Sequence, residues 1–251
     1  MKKTLILLVA VLIALPALGY SDIFTFRVGY FFPSASSDLW TTEFDNLTMT
    51  KSDFQQTTFG VSYDLFLNQY LSLGLAVDTY SKVKSGIYSD YVGVMIGDDY
   101  FAFPADQGFS EDFMPVQTFK VSILPVQFSA KVTPLGRRGG FIPFFGGGVG
   151  VYIWNVQLLG DLIDFSNPLT YTDALGTVTY YRDLYVNTEE SNRFSLGFHA
   201  LAGVRIPVGS RMTVEGEFKY NYVKGELKNF VDFQKFDLSG FQFSLGLNYW
   251  F

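Results

Sequence analysis

The sequence carries one histidine, His199, and no cysteine. A zinc or other transition-metal centre needs several imidazole or thiolate ligands, so none is expected, and no cofactor site stands out. The residues left to do chemistry are charges at regular spacing. Arg27, Asp78, Lys120, Glu215, Glu217 and Lys219 each fall in a segment where residues alternate in character, on the side opposite the bulky apolar series. If that side is enclosed, opposite charges meet in a confined space. An isolated buried charge is costly and a paired one is tolerated, so ion pairs that plug the enclosure are expected. Two uses are open: a static polar core, or a gate in which a carboxylate exchanges partners and lets small solutes through.

Eight alternating segments must position these charges. They run over 23–32, 57–66, 70–80, 117–132, 141–154, 193–206, 211–223 and 239–251. Their period of two is that of strands, and most reach the nine to eleven or so residues with which a tilted strand crosses a bilayer. The gaps alternate in length. Short turns at 67–69, 133–140 and 207–210 contain Asn, Pro or Gly, and long connections fill 33–56, 81–116, 155–192 and 224–238. That rhythm describes an up-and-down meander with both chain ends at the short-turn side.

Glycine decides which face is inside. One series holds Phe24, Phe26, Val28, Tyr30 and Phe32, and likewise Phe59, Val61, Tyr63 and Leu65; the other holds Arg27 with Gly29, and Gly60, Ser62 and Asp64. An eight-stranded barrel has interior room for modest side chains, so the glycine-rich series belongs in the lumen and the bulky series faces out. An encircling apolar band suits a bilayer, and closure leaves no strand edge in lipid. The fold expected is therefore an all-β, eight-stranded antiparallel up-and-down transmembrane barrel. In 117–132 the apolar parity switches, from Phe119, Val121 and Ile123 to Val126, Phe128, Ala130 and Val132. A one-residue bulge near Leu124 and Pro125 would restore a single outward face.

The ends add direction. MKKTLILLVAVLIALPALG, residues 1–19, has the layout of a secretory signal peptide, which leaves 20–251 as the barrel domain. Removing Lys2 and Lys3 lowers the 18 basic residues to 16 against 24 acidic ones, which disfavours a nucleic-acid partner. The last residues, GFQFSLGLNYWF, put Phe241, Phe243, Leu245, Leu247, Tyr249 and Phe251 on one face up to the terminal carboxylate.

With these patterns the chain resembles the eight-stranded outer-membrane barrel families: the transmembrane domain of outer membrane protein A, and the opacity-type and outer-membrane-protein-W-type porin-like proteins. The resemblance is carried by FIPFFGGGVGVYIW, similar to a Pro-aromatic-Gly-rich fifth strand, and by the C-terminus. There Ser244, Gly246, Tyr249 and Phe251 match the signal that the outer-membrane assembly machinery reads. It implies residence in a Gram-negative-type outer membrane, long loops at the cell surface and turns in the periplasm. The partners implied are outer-membrane lipids, lipopolysaccharide, the barrel assembly machinery and periplasmic chaperones, and a monomer is expected. It implies no single activity. A barrel-type lipid A deacylase carries His-x-Ser, whereas this chain has His199-Ala200-Leu201; an omptin-like protease needs ten strands and a rim histidine, and Asp98 with Asp99 supply at most half its site.

The long connections hold 19 of the 24 acidic residues, and stretches such as DDYFAF suggest that some of them continue the strands as hairpins. A structural or porin-like role is the first reading, surface adhesion or ligand binding through the loops the second, and a lipid-modifying enzyme the third. No catalytic residue is assigned.

Overall fold

Each alternating segment forms a strand in the computed structural model, which describes residues 22–173, 176–230 and 233–251. The expected leader at 1–19 lies outside the described residues. In chain order the strands are β1 (Ile23–Pro33), β2 (Gln56–Phe66), β3 (Leu71–Ile87), β4 (Tyr91–Ile96), β5 (Asp99–Pro104) and β6 (Val116–Val132). They continue with β7 (Ile142–Ile163), β8 (Leu169–Asp173), β9 (Gly176–Pro207), β10 (Met212–Glu226), β11 (Lys235–Asp237) and β12 (Gly240–Trp250). One α-helix, α1 (Asp38–Asn46), and a 3-10 turn at Lys51–Phe54 occupy the connection between β1 and β2.

Strands β1, β2, β3, β6, β7, β9, β10 and β12 pair antiparallel in that order, and β12 pairs with β1 to close an eight-stranded up-and-down transmembrane barrel. The chain end does not fray. β12 lies between β1 and β10, and the Phe251 amide donates to the Asp22 carbonyl. Its apolar series faces outward, as do Phe26, Phe59, Phe128, Phe145 and Phe218 on other strands. A continuous ring of exposed Phe, Leu and Val has no stable arrangement in water and needs hydrocarbon as its neighbour.

The strand containing Pro125 corrects two expectations. There is no bulge at Leu124: the register of β6 with β7 is unbroken from Gln117 opposite Gly160 to Val132 opposite Phe145. One parity therefore runs inward along the whole strand, and Phe119, Val121 and Ile123 point into the barrel with Gln127, Ser129 and Lys131. Lys120 accordingly lies exposed on the outer face and takes no part in the lumen charges. The parity switch reflects a change of filling, polar at the short-turn half and apolar at the long-loop half. A register shift does occur at the next seam, between Trp154 and Val156 of β7 and Arg193 and Glu190 of β9. Asn192 sits there at φ 52, a left-handed conformation that Asn tolerates, and its amide donates to Asn155 Oδ1 at 2.5 Å.

β7 and β9 run on together beyond the barrel. At about 3.3 Å per residue, the 22 residues of β7 span roughly 70 Å, well over the ~30 Å of a bilayer core even when tilted. The extension is joined by the β4–β5 hairpin through β5 and by β8, so stretches such as DDYFAF do form hairpins, and together they make a projecting sheet.

Candidate functional site

The short-turn half of the lumen holds a charge network. Arg27 grips Asp78 with two nitrogens, Nε to Oδ1 at 2.8 Å and Nη2 to Oδ2 at 2.9 Å, and donates to Glu217 at 3.2 Å. Lys219 donates to Asp78 at 2.7 Å and to Gln127 at 2.8 Å. A second group lies beside the first: Arg205 bonds Glu215 at 2.5 Å and Asp64 at 2.6 Å, and Lys131 pairs with Asp64 at 3.0 Å. Lys131 also stands 3.8 Å from Glu217, which links the two. Four cations face four anions, so the enclosed charge sums to zero.

Of the sequence candidates, Arg27, Asp78, Glu215, Glu217 and Lys219 are brought together here, and Lys120 is not. Asp64, Lys131 and Arg205 complete the set. Their inward parity was the available signal: Asp64 and Arg205 share a side with Gly60 and Gly203, and Lys131 shares one with Gln127 and Ser129. The glycines have a direct role, since a Cβ on Gly60 would overlap Asp78 Oδ1 and one on Gly74 would overlap Asp64 Oδ1. The lumen is small because the strands are few, and glycine makes the space in which the ion pairs fit.

His199 shares this half, with Nε2 2.7 Å from Ser129 Oγ. Its Nδ1 has no hydrogen-bond partner among the described residues, so no carboxylate orients the ring as a hydrolytic triad requires. Among the described residues no group of three or more His, Asp or Glu side chains could hold a metal ion.

Above the charges the filling turns apolar. Trp40 of α1 stacks on Phe236 of β11 with ring centroids 5.2 Å apart, and meets Phe119 of β6 and Phe54 edge-on, both at 4.8 Å. These four rings are at most 1% exposed. Polar clasps hold the cap down. The Trp40 indole donates to the Asp237 carbonyl at 2.9 Å, the Ser36 hydroxyl donates to the Asp237 carboxylate at 2.6 Å, and Tyr80 donates to the Phe54 carbonyl at 2.6 Å. The 227–239 connection is tied to the wall by Glu190, whose carboxylate accepts from the backbone amides of Lys228 and Asn229 and from Arg193. At the junction of the polar and apolar layers, Tyr152, Asn221, Asp78 and Pro125 surround a void of about 20 Å³, room for about one water.

The whole column is thus filled from both sides. A water-filled passage would leave its lining in contact with solvent, yet the eight network charges are at most 3% exposed.

No family model matches the sequence, and no curated relative matches it. Among solved structures the chain is similar to OprG from Pseudomonas aeruginosa, at 11% identity and a TM-score of 0.47, covering 93% of this chain and 96% of that one. It is similar to the N-terminal β-barrel domain of Pseudomonas aeruginosa OprF, at 10% identity and a TM-score of 0.40, covering 93% of this chain and 100% of that one. It is also similar to Ail, the attachment invasion locus protein of Yersinia pestis, at 8% identity and a TM-score of 0.43, covering 93% of this chain and 100% of that one. Likeness at these identities concerns the fold.

The residues of the expected assembly signal divide between the two faces of β12. Ser244 and Gly246 face the lumen, where a Cβ at position 246 would crowd Thr25. Tyr249 and Phe251 face outward, edge to face with centroids 5.2 Å apart at the short-turn rim. Aromatic rings, Tyr249 with its hydroxyl above all, suit the boundary between hydrocarbon and water.

Proposed function

We propose that this chain is a non-conducting outer-membrane barrel of a Gram-negative-type envelope: a structural wall element whose ordered cap, on the long-loop side, is its working surface. The observation that carries the reading is the double seal, a neutral ion-pair network below and the Trp40 cluster above, with both layers closed to solvent. Asp78 already accepts three charged hydrogen bonds, and Glu217, which accepts from Arg27 at 3.2 Å, can turn only toward Lys131 and Lys219 at 3.8 and 3.9 Å, an exchange that stays inside the sealed layer. The apolar belt supports contact with membrane lipid, and the acidic loop side supports exposure at a lipopolysaccharide surface. The C-terminal strand supports handling by periplasmic chaperones and the barrel assembly machinery, after export by the leader at 1–19. The belt is complete within one chain, which supports a monomer.

Planar-bilayer recording tests the reading. The purified protein inserted into a bilayer is expected to give no discrete conductance steps, and Trp40→Ala, which removes the central ring of the cap, still leaves the ion-pair layer closed. Discrete ohmic steps from the unaltered protein would refute the closed-barrel reading and restore a porin-like role.

Surface binding has its own support. α1, the β7–β9 extension and residues 227–230 and 233–239 pack into a structured platform rather than separate solvated loops.

A further inference from the structure

On that platform lies a half-open pocket of about 500 Å³, outside the barrel and separate from the charge network. Its wall is the cap-side face of the β7–β9 extension, where the register sets Leu158 opposite Thr188 and Leu162 opposite Leu184. Its floor is α1, and Phe230 closes one side. The lining is mostly apolar and includes no lysine or arginine. Within it stands Glu43, 5% exposed, whose Oε2 has no hydrogen-bond partner among the described residues. A carboxyl group beside leucine and phenylalanine, with one oxygen unanswered, is costly to fold and does nothing for the helix.

We propose that this pocket binds a small apolar molecule carrying a single protonated amine, with the hydrocarbon against Leu158, Leu162 and Leu184 and the ammonium on Glu43. A cation is favoured over an anion because, among the described residues, Glu43 and Asp164 are the charged groups of the lining, and Asp161 and Asp183 stand close behind with Tyr88. Asp164 is held ionised by hydrogen bonds from Ser166 and Asn167, whereas burial pushes Glu43 up to about 8, so the empty pocket holds Glu43 neutral at pH 7. Arrival of an ammonium ion favours the carboxylate. Binding therefore releases the Glu43 proton to solvent as the ion pair forms.

The proposal deepens the surface-binding reading above, but binding to purified protein does not depend on where the cap faces or on whether the barrel conducts. The test is titration calorimetry on the full barrel in lipid nanodiscs, with 1-naphthylmethylamine as probe and 1-naphthalenemethanol and 1-naphthaleneacetate as neutral and anionic counterparts. The amine is expected to bind saturably, the alcohol about tenfold more weakly and the acid not at all. Repetition in buffers of different ionisation enthalpy should show net release approaching about one proton per amine bound near pH 7. Glu43→Gln should bind amine and alcohol alike with no proton release, and Leu184→Trp, at the half-exposed rim, should block both. Folding of each variant is checked by its heat-dependent gel migration. Equal affinity for amine and alcohol in the unaltered protein, amine preference that survives Glu43→Gln, or no saturable binding would each overturn the proposal.

Discussion

Replacing Asp78 with Asn tests the energetics of the lumen most sharply. Asp78 answers both nitrogens of the Arg27 fork and the Lys219 ammonium, at 2.7 to 2.9 Å, in a space closed to water. Asparagine keeps the shape but removes the charge, which leaves Arg27 and Lys219 to share Glu217. Breaking a buried pair on one side costs about 3–5 kcal/mol, because the remaining charge is uncompensated. The loss should shrink when balance is restored: Asp78→Asn combined with Lys219→Met leaves Arg27 with Glu217, so the double variant should be more stable than Asp78→Asn alone, by about 1–3 kcal/mol. Reversible urea unfolding from lipid vesicles, followed by tryptophan fluorescence, measures both. Additive losses in the double variant, or a cost below about 1 kcal/mol for Asp78→Asn, would refute the claim that charge balance holds the lumen closed.

Two further expectations follow from the faces and the cap. Leu245→Arg, on the lipid face, should cost about 2–4 kcal/mol in the same unfolding assay, and an equal cost at the lumen-facing Gln242 on exchange to Asn would count against the assigned parity. The cap should also weaken as pH rises. Burial pushes Glu43 up to about 8, and burial followed by repulsion from Asp161 pushes Asp183 up to about 6, against ordinary values of 4.5 and 3.8. The folded cap then holds protons that the unfolded chain releases, so this stability is present below about pH 4 and is lost progressively up to about pH 8. For Glu43 the ceiling is about 5 kcal/mol. Near-ultraviolet circular dichroism melts of the stacked Trp40 should fall in midpoint from pH 5 to pH 9, and Glu43→Gln should remove most of the slope; a flat profile in the unaltered protein would contradict the burial of Glu43.

The barrel was legible in the sequence because strand period and glycine placement are local signals. Phe26 and Gly60 declare their faces through their neighbours alone. The cap was not, because period two says which residues share a face and nothing about what covers it. Phe119, Val121 and Ile123 look like lipid-facing residues on composition, and become interior once Trp40 and Phe236 fold into the mouth. Lys120 was misplaced by the same step, since the bulge invoked to turn those three outward turned Lys120 inward. Asp64, Lys131 and Arg205 carried the right parity but needed the register to show that they meet. Glu43 was beyond reach, since α1 is nine residues inside a long connection and its burial depends on β7, β9 and the 227–239 segment together.

The absence of native cysteine allows the assigned faces to be read directly. Single substitutions Leu245→Cys, Leu247→Cys, Ser244→Cys and Gln242→Cys, each nitroxide-labelled in lipid bilayers, report collision with oxygen, which concentrates in hydrocarbon, and with a water-soluble nickel chelate. Labels at 245 and 247 should collide strongly with oxygen and hardly with nickel, and labels at 244 and 242 should meet little of either. Strong nickel collisions at 245 and 247, with 244 and 242 taking the oxygen, would contradict the outward apolar belt.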